Sequence, residues 1–453
     1  MPGVPSGRAC EGCRKQKKKC DERTPACSRC IRLGLPCEGS GRKRYKFVEA
    51  QGLSTKQSAV MSRRGTRQVL LGTPPANERT SLVKAFIYAV SPSSDLRYSL
   101  FWTYGDFLVD IPPRLGESPA LDASADALIS AHVSFSSCRG TTSVHALTKY
   151  SRALQALRSA LDDPIQAVSS NTLCAVMLLL LCQALLGTAG PGWSSHAQGA
   201  AQILRARGFL ASPDEFEQKV LLSLRGPVLF EGLVNEKIKL NPEEWAALVD
   251  HELARSNTIG QMLLCLAQIP VITQRGRDMS ARGDRTGITA LRDETKTLYQ
   301  MSKVLLDTQQ LEYAGVPRSS ATGDMPFAYA HYQRMYGLGL TIVMIINVAL
   351  RAFGVDEGGE EEDAAIQLES VDFSRQLLSL AREAAIYRPL GASYTFVGLM
   401  VAWMQKQDHT LRLEVEQEME SYTREFATLQ GVSFETSDLL EYLPRGIRML
   451  SVQ

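Results

Sequence analysis

The chain has 453 residues, 44% of them apolar and 22% charged, with a formal net charge of +2. Those values exclude a disordered or fibrous protein, and the length is ample for a large buried core. The near-neutral total hides a division. Residues 1–46 contain thirteen Lys or Arg against four acids, a net +9, which leaves −7 on the other 407 residues.

The first feature along the chain is a repeat of cysteine. Cys10, Cys13 and Cys20 follow the pattern Cys-x2-Cys-x6-Cys, and Cys27, Cys30 and Cys37 repeat it 17 positions later. Disulfides are the first alternative for six such residues. Two features weigh against them. Met1 to Gly7 has no apolar stretch of the kind a secretory leader needs. The remaining cysteines (Cys138, Cys174, Cys182 and Cys265) are scattered in apolar surroundings, as suits free thiols in a reducing compartment.

Cys-x2-Cys is the spacing at which a tight turn lets two thiolates grip one Zn2+, whose tetrahedral shell takes four ligands. One zinc uses four of the six cysteines and strands two. Two separate zincs need eight ligands, and no histidine precedes His132. Six thiolates serve two tetrahedral ions only if two of them bridge. The internal symmetry nominates Cys10 and Cys27. Two Zn2+ and six thiolates lower the head's charge to about +7, which still favours a polyanion, since neutralising backbone phosphates drives such binding.

The two copies differ in their loops. Arg14, Lys15, Gln16, Lys17, Lys18 and Lys19 fill the first, whereas the second runs Ile31-Arg32-Leu33-Gly34-Leu35-Pro36. The first is the candidate reader of nucleic acid, and the second is expected to be a packing half.

The stretch Cys10 to Cys37 resembles the fungal Zn2Cys6 binuclear-cluster transcription factors, whose six-cysteine pattern it matches throughout. The resemblance implies a short helix starting near Cys13 whose terminus enters the major groove of double-stranded DNA, typically over a CGG triplet. It places Lys17 at the principal base-contacting position. The preceding position, basic in some members, is Gln16, whose amide pairs more naturally with adenine than guanine. Pro25 matches the proline that turns the loop between the half-clusters. Most of the other basic residues, Arg8, Lys15, Lys19 and Arg23 among them, are expected to be merely solvated or to meet phosphates, which position a protein without reporting sequence.

Gly39-Ser40-Gly41 leads into a basic arm containing Arg42, Lys43 and Arg44, a further set of candidate DNA contacts and, with Lys17-Lys18-Lys19, a candidate nuclear-import signal. The expected organisation is a DNA-binding domain over 1–46, a largely disordered linker over 47–79 and an all-α regulatory domain over 80–453. No sustained heptad runs between Phe47 and Arg79, which leaves monomer binding and dimerisation through the helical domain equally open.

Helical periodicity predicts elements over 80–90, 98–109, 119–135, 143–161, 193–207, 214–224, 243–255, 259–269, 289–312, 328–352, 366–386, 392–406 and 411–429. In the helix starting near Ser143, Leu147, Tyr150, Leu154, Leu157 and Leu161 share a face. Leu173 to Leu186 is apolar throughout except for Gln183. It is too short to span a bilayer and is expected to be a core helix. Strand patterns are absent, so the fold class is mostly α.

Trp193-Ser-Ser-His196-Ala-Gln-Gly199-Ala200, running on to Arg207-Gly208, resembles the fungal-specific transcription-factor domain that accompanies these clusters. Gly199 is expected to allow close helix approach and Gly208 to cap a helix. His196 has no acid or nucleophile pattern beside it, which favours a packed, hydrogen-bonded histidine. Asp356 to Asp363 carries six acids in eight residues with no bulky apolar residue between them, and is expected to be a solvated loop.

Three classes compete for the function. A nuclear, zinc-dependent DNA-binding regulator of RNA polymerase II genes accounts for the repeat, the charge and the helical body. It implies the transcription machinery as a partner and no membrane, and the family often governs dedicated pathways, secondary metabolism among them. An enzyme with a zinc appendage lacks Gly-x-Ser-x-Gly, a Gly-Lys-Ser/Thr phosphate loop and His-Glu-x-x-His. Closed thiolate shells leave no position for substrate, so no catalytic residue is assigned. A metal-buffering module needs neither the lysine-rich loop nor the long helical body.

Overall fold

The computed structural model describes residues 9–37, 77–137, 143–186, 193–208, 214–235, 237–250, 255–317, 325–354, 360–405 and 409–430. The basic arm with Arg42, Lys43 and Arg44, Cys138, and all but the last three residues of the expected linker lie outside them. The chain divides into two compact units, residues 1–72 and 73–453.

In the first unit two five-residue helices, Glu11–Lys15 and Ser28–Arg32, each carry the middle cysteine of one triad. Helices this short do not persist alone in water, because nucleation costs more than one turn returns. Here Cys10, Cys13, Cys27 and Cys30 are buried together with Cys20 and Cys37 packed against them. The first helix begins two residues earlier than the family resemblance implies, so that Cys13 lies inside it.

The second unit is all helical, and no strand occurs among the described residues. Helices Pro119–Ser136 and Val144–Leu161 form a hairpin packed on Ser170–Leu186, which also meets Trp193–Arg207 and Glu215–Gly232. Enclosed on so many sides, Ser170–Leu186 needs no polar face, and its residues from Leu173 to Gln183 are all buried. A second hairpin joins Arg285–Gly315 to Met325–Ala352, with Glu360–Ala384, Tyr394–Met404 and His409–Gln430 following around it. Phe327–Ala352 has the length and apolar composition of a membrane span, but 72% of that window is buried within the body. It is a core helix.

The short elements over 96–104 bond to the second group of helices. The Leu390 N–H donates to the Arg97 carbonyl at 3.0 Å, and the Arg334 guanidinium donates to the carbonyls of Trp102 (2.6 Å) and Thr103 (3.0 Å).

Several expectations change. The helix expected over 98–109 is three short pieces, because Ser99 caps a new start by accepting from the Trp102 N–H and Gly105 turns the chain at φ +110°. The expected element 243–255 is the helix Pro242–Val249. Ile269–Arg282, which polar residues and Gly276 concealed, is a helix that the periodicity missed. In Val144–Leu161 the buried stripe is Ala146, Ala153, Leu157 and Ala160, while Leu154 and Leu161 are exposed. Its partner Pro119–Ser136 buries Ala120, Ala125, Ala127 and Ala131 alongside Leu121, Leu128 and Phe135. The acidic run is not all loop: Glu360–Asp363 form the first turn of Glu360–Ala384, where carboxylates meet the positive end of the helix dipole. The Lys296 ammonium beside Glu362 holds its carboxyl below the usual range.

Candidate zinc cluster and nucleic-acid interface

The sulfurs form two overlapping groups of four. Cys10, Cys13, Cys20 and Cys27 make one and Cys10, Cys27, Cys30 and Cys37 the other, with all sulfurs of a group within 4.8 Å of one another. Cys10 and Cys27 belong to both. The Sγ separations Cys10–Cys27, Cys10–Cys30 and Cys13–Cys27 are each 3.7 Å. Tetrahedral zinc with bonds of about 2.3 Å sets its sulfurs about 3.8 Å apart, whereas a disulfide needs about 2.05 Å. The donor set fits metal and does not fit disulfides.

Backbone amides repeat the symmetry of the sulfurs. The Cys10 N–H donates to Cys20 Sγ and the Cys27 N–H to Cys37 Sγ, both at 3.4 Å. The Cys10 N–H is the largest influence lowering the Cys20 thiol from its ordinary value, which favours thiolate. At Cys27 the N–H of Cys30 acts in the same direction, but burial and the crowd of neighbouring thiols outweigh it and push the group up to about 12. Metal binding at such a crowd displaces protons, since thiolate is the ligand.

Asp21 ties the copies together. Its carboxylate accepts from the Ser28 N–H, which opens the second helix, at 3.1 and 3.3 Å, and Ser28 holds the Asp21 carboxyl below its ordinary range. Its place beside Cys20 carries no sequence signal for this role, and the cysteine pattern overlooks it.

The loops compare residue by residue. Lys15, Gln16, Lys17, Lys18 and Lys19 are exposed, while Arg14 is known here by its backbone, which lies in the first helix. In the second loop Ile31, Leu33 and Leu35 are exposed at 67%, 49% and 36%, so it does not pack into the head as expected. Both loops leave their helix through a left-handed residue. The Lys18 N–H donates to the Cys13 carbonyl and the Leu35 N–H to the Cys30 carbonyl, both at 3.0 Å. The left-handed position is Gly34 (φ +61°) in the second copy and Lys17 (φ +50°) in the first. Glycine there is free of the steric cost that any L side chain meets. Lys17 bears that cost.

His196 is packed and hydrogen-bonded, with its Nε2 2.8 Å from the Tyr150 hydroxyl, and burial lowers its basicity. Gly208 follows its helix at φ +79°, as a capping residue should. Gly199 does not mediate a close approach: a Cβ there would meet nothing within 4 Å.

Together these features define a thiolate metal cluster with a basic loop on one half, ahead of an all-helical body. Residues 8–46 match the fungal Zn(2)-Cys(6) binuclear cluster domain, which binds two zinc ions, and residues 82–225 match the fungal specific transcription factor domain. Both matches are to domains of transcription factors and neither is to an enzyme domain. Over 44 residues it is 43% identical to an uncharacterized transcriptional regulatory protein of Schizosaccharomyces pombe, a match spanning 10% of this chain and 6% of that relative. No solved structure matches the chain.

Proposed function

We propose that the protein is a nuclear, sequence-specific DNA-binding regulator of transcription. Cys10 and Cys27 bridge two structural zincs, Cys13 and Cys20 complete one shell, and Cys30 and Cys37 complete the other. The zincs supply cross-links that hold two helices too short to stand alone. The loop Arg14–Lys19 meets double-stranded DNA, with Lys17 on a base edge of a CGG-like triplet and its basic neighbours, together with Arg42, Lys43 and Arg44, on phosphates. The helical domain serves regulation, contact with the transcription machinery and homodimer assembly. Its target genes are those of a dedicated RNA polymerase II-transcribed pathway, secondary metabolism included.

The observation that carries this reading is the pair of four-sulfur groups sharing Cys10 and Cys27. The basic loop beside one of them supports double-stranded DNA as the partner. Native mass spectrometry of the full chain should find two zincs, and one zinc would overturn the bridged arrangement. Selection from random duplexes should enrich one triplet, and Lys17→Ala should weaken binding to it by about 1–3 kcal/mol. An equal loss on every sequence would make Lys17 a phosphate contact instead.

A further inference from the structure

Gln16 is held by a residue from the other half of the cluster. Arg29 Nη1 lies 2.9 Å from Gln16 Oε1, joining the first loop to the helix Ser28–Arg32. Arg29 is half-buried, while Gln16 is exposed next to Lys17. The amide's orientation follows from chemistry: a guanidinium has five donors and no acceptor, so the atom facing it must be the oxygen. The pseudo-symmetry does not demand this contact, because the residue 17 positions before Arg29 is Gly12.

The geometry points to Arg29 as the residue that sets the base preference of Gln16, turning it from adenine towards guanine. A free glutamine pairs with adenine by accepting from N6 through Oε1 and donating to N7 through Nε2. Here one lone pair of Oε1 is taken by a cation, which leaves the amide one acceptor site beside that charge against two N–H donors. A positive charge beside that oxygen also repels the partly positive N6 amino group of adenine. Guanine offers two acceptors, O6 and N7, on the same edge, which suits an N–H donor with a cation behind it. Arg29 is a positioning residue in this scheme and need not touch DNA.

This inference rests on the reading of the first loop as the DNA contact. It is tested by selecting bound sequences from random duplexes with the full-length, zinc-loaded protein and its variants, with zinc content checked by native mass spectrometry. Gln16→Ala should relax one base position, identifying the column that residue 16 reads. In the wild type that column should favour guanine over adenine by about tenfold. Arg29→Ala should move that column towards adenine and leave the Lys17 column unchanged. Gln16→Glu retains the acceptor for Arg29 but has no donor, and should lose guanine from the column.

The inference falls if Arg29→Ala lowers affinity on all sequences with the column unchanged, since Arg29 is then a phosphate contact. It falls equally if Gln16→Ala relaxes no position, or if Gln16→Glu still selects guanine. In each of these cases the DNA-binding reading survives, because the wild type still enriches a site. A wild type that enriches no sequence overturns both.

Discussion

Lys17 shows most directly how one residue separates function from folding. Its counterpart Gly34 occupies the same left-handed position with the same backbone hydrogen bond following it, and Gly34 meets no steric penalty there. A lysine in that conformation costs on the order of 1 kcal/mol, and strain of this kind is retained where a side chain has work to do. Lys17→Gly should therefore raise the resistance of the head to unfolding by about 0.5–1 kcal/mol, read from hydrogen exchange of the Cys13 and Lys18 amides. The same variant should lose the base-specific share of DNA affinity. Lower protection in Lys17→Gly would mean that the lysine stabilises the turn, and the strain argument would be wrong. The cysteine repeat made the two four-sulfur groups and their overlap legible in sequence, because the spacing that brings the sulfurs together is a local property. The contact between Gln16 and Arg29 was not legible, since it depends on where two separate loops meet.

At the level of elements, the all-α class and nearly every long helix were visible as periodicity, whereas the packing between helices was not. Two cases show why. Leu154 and Leu161 look like core residues by spacing, yet the helix buries Ala146, Ala153, Leu157 and Ala160 and leaves those two outside. Gly199 looks like a close-approach glycine, yet the glycine that backbone crowds, among those described, is Gly391, where an added Cβ would lie 2.6 Å from the Leu96 carbonyl oxygen and 2.7 Å from that of Tyr387. A glycine's role is set by its partner, which lies 295 positions away in the chain for Gly391 and Leu96. That joint links the turn before Leu100–Tyr104 to the turn before Tyr394–Met404, and backbone atoms cannot swing aside as a side chain can. Gly391→Ala should destabilise the body by about 1–3 kcal/mol through overpacking. Gly199→Ala, in a helix with open space above it, should be neutral or stabilising by up to about 1 kcal/mol. Thermal melts of the two variants against the parent check the pair. Equal effects at both glycines would mean that the joint yields, and that Gly391 is not what holds these turns together.

At the scale of the whole chain, charge and core are divided in the same way. The basic excess belongs to residues 1–46 and the acidic excess to the remainder, while Cys10, Cys13, Cys27 and Cys30 form one buried cluster and the helical body another. The body's own response to acid follows from its histidines. His132, His196 and His331 all have their basicity lowered chiefly by burial, from an ordinary value of 6.5. His132 is fixed by a contact of 2.8 Å between Nε2 and the Tyr98 carbonyl, so that Nε2 carries the proton and donates it. In the unfolded chain these imidazoles protonate as the pH falls past about 6.5, while in the folded body they resist, so the unfolded state binds more protons. The stability they contribute is complete above that pH and declines as the pH falls through the depressed folded values. The melting temperature of the body should therefore drop as the pH falls below about 6.5, before most carboxylates titrate. His132→Gln keeps an N–H donor for the Tyr98 carbonyl but cannot be protonated in this range, so it should flatten that slope. Comparing the variant with the parent at each pH cancels any change arising in the cluster, whose thiolates also compete with protons. Parallel slopes would show that His132 titrates alike in the folded and unfolded chain.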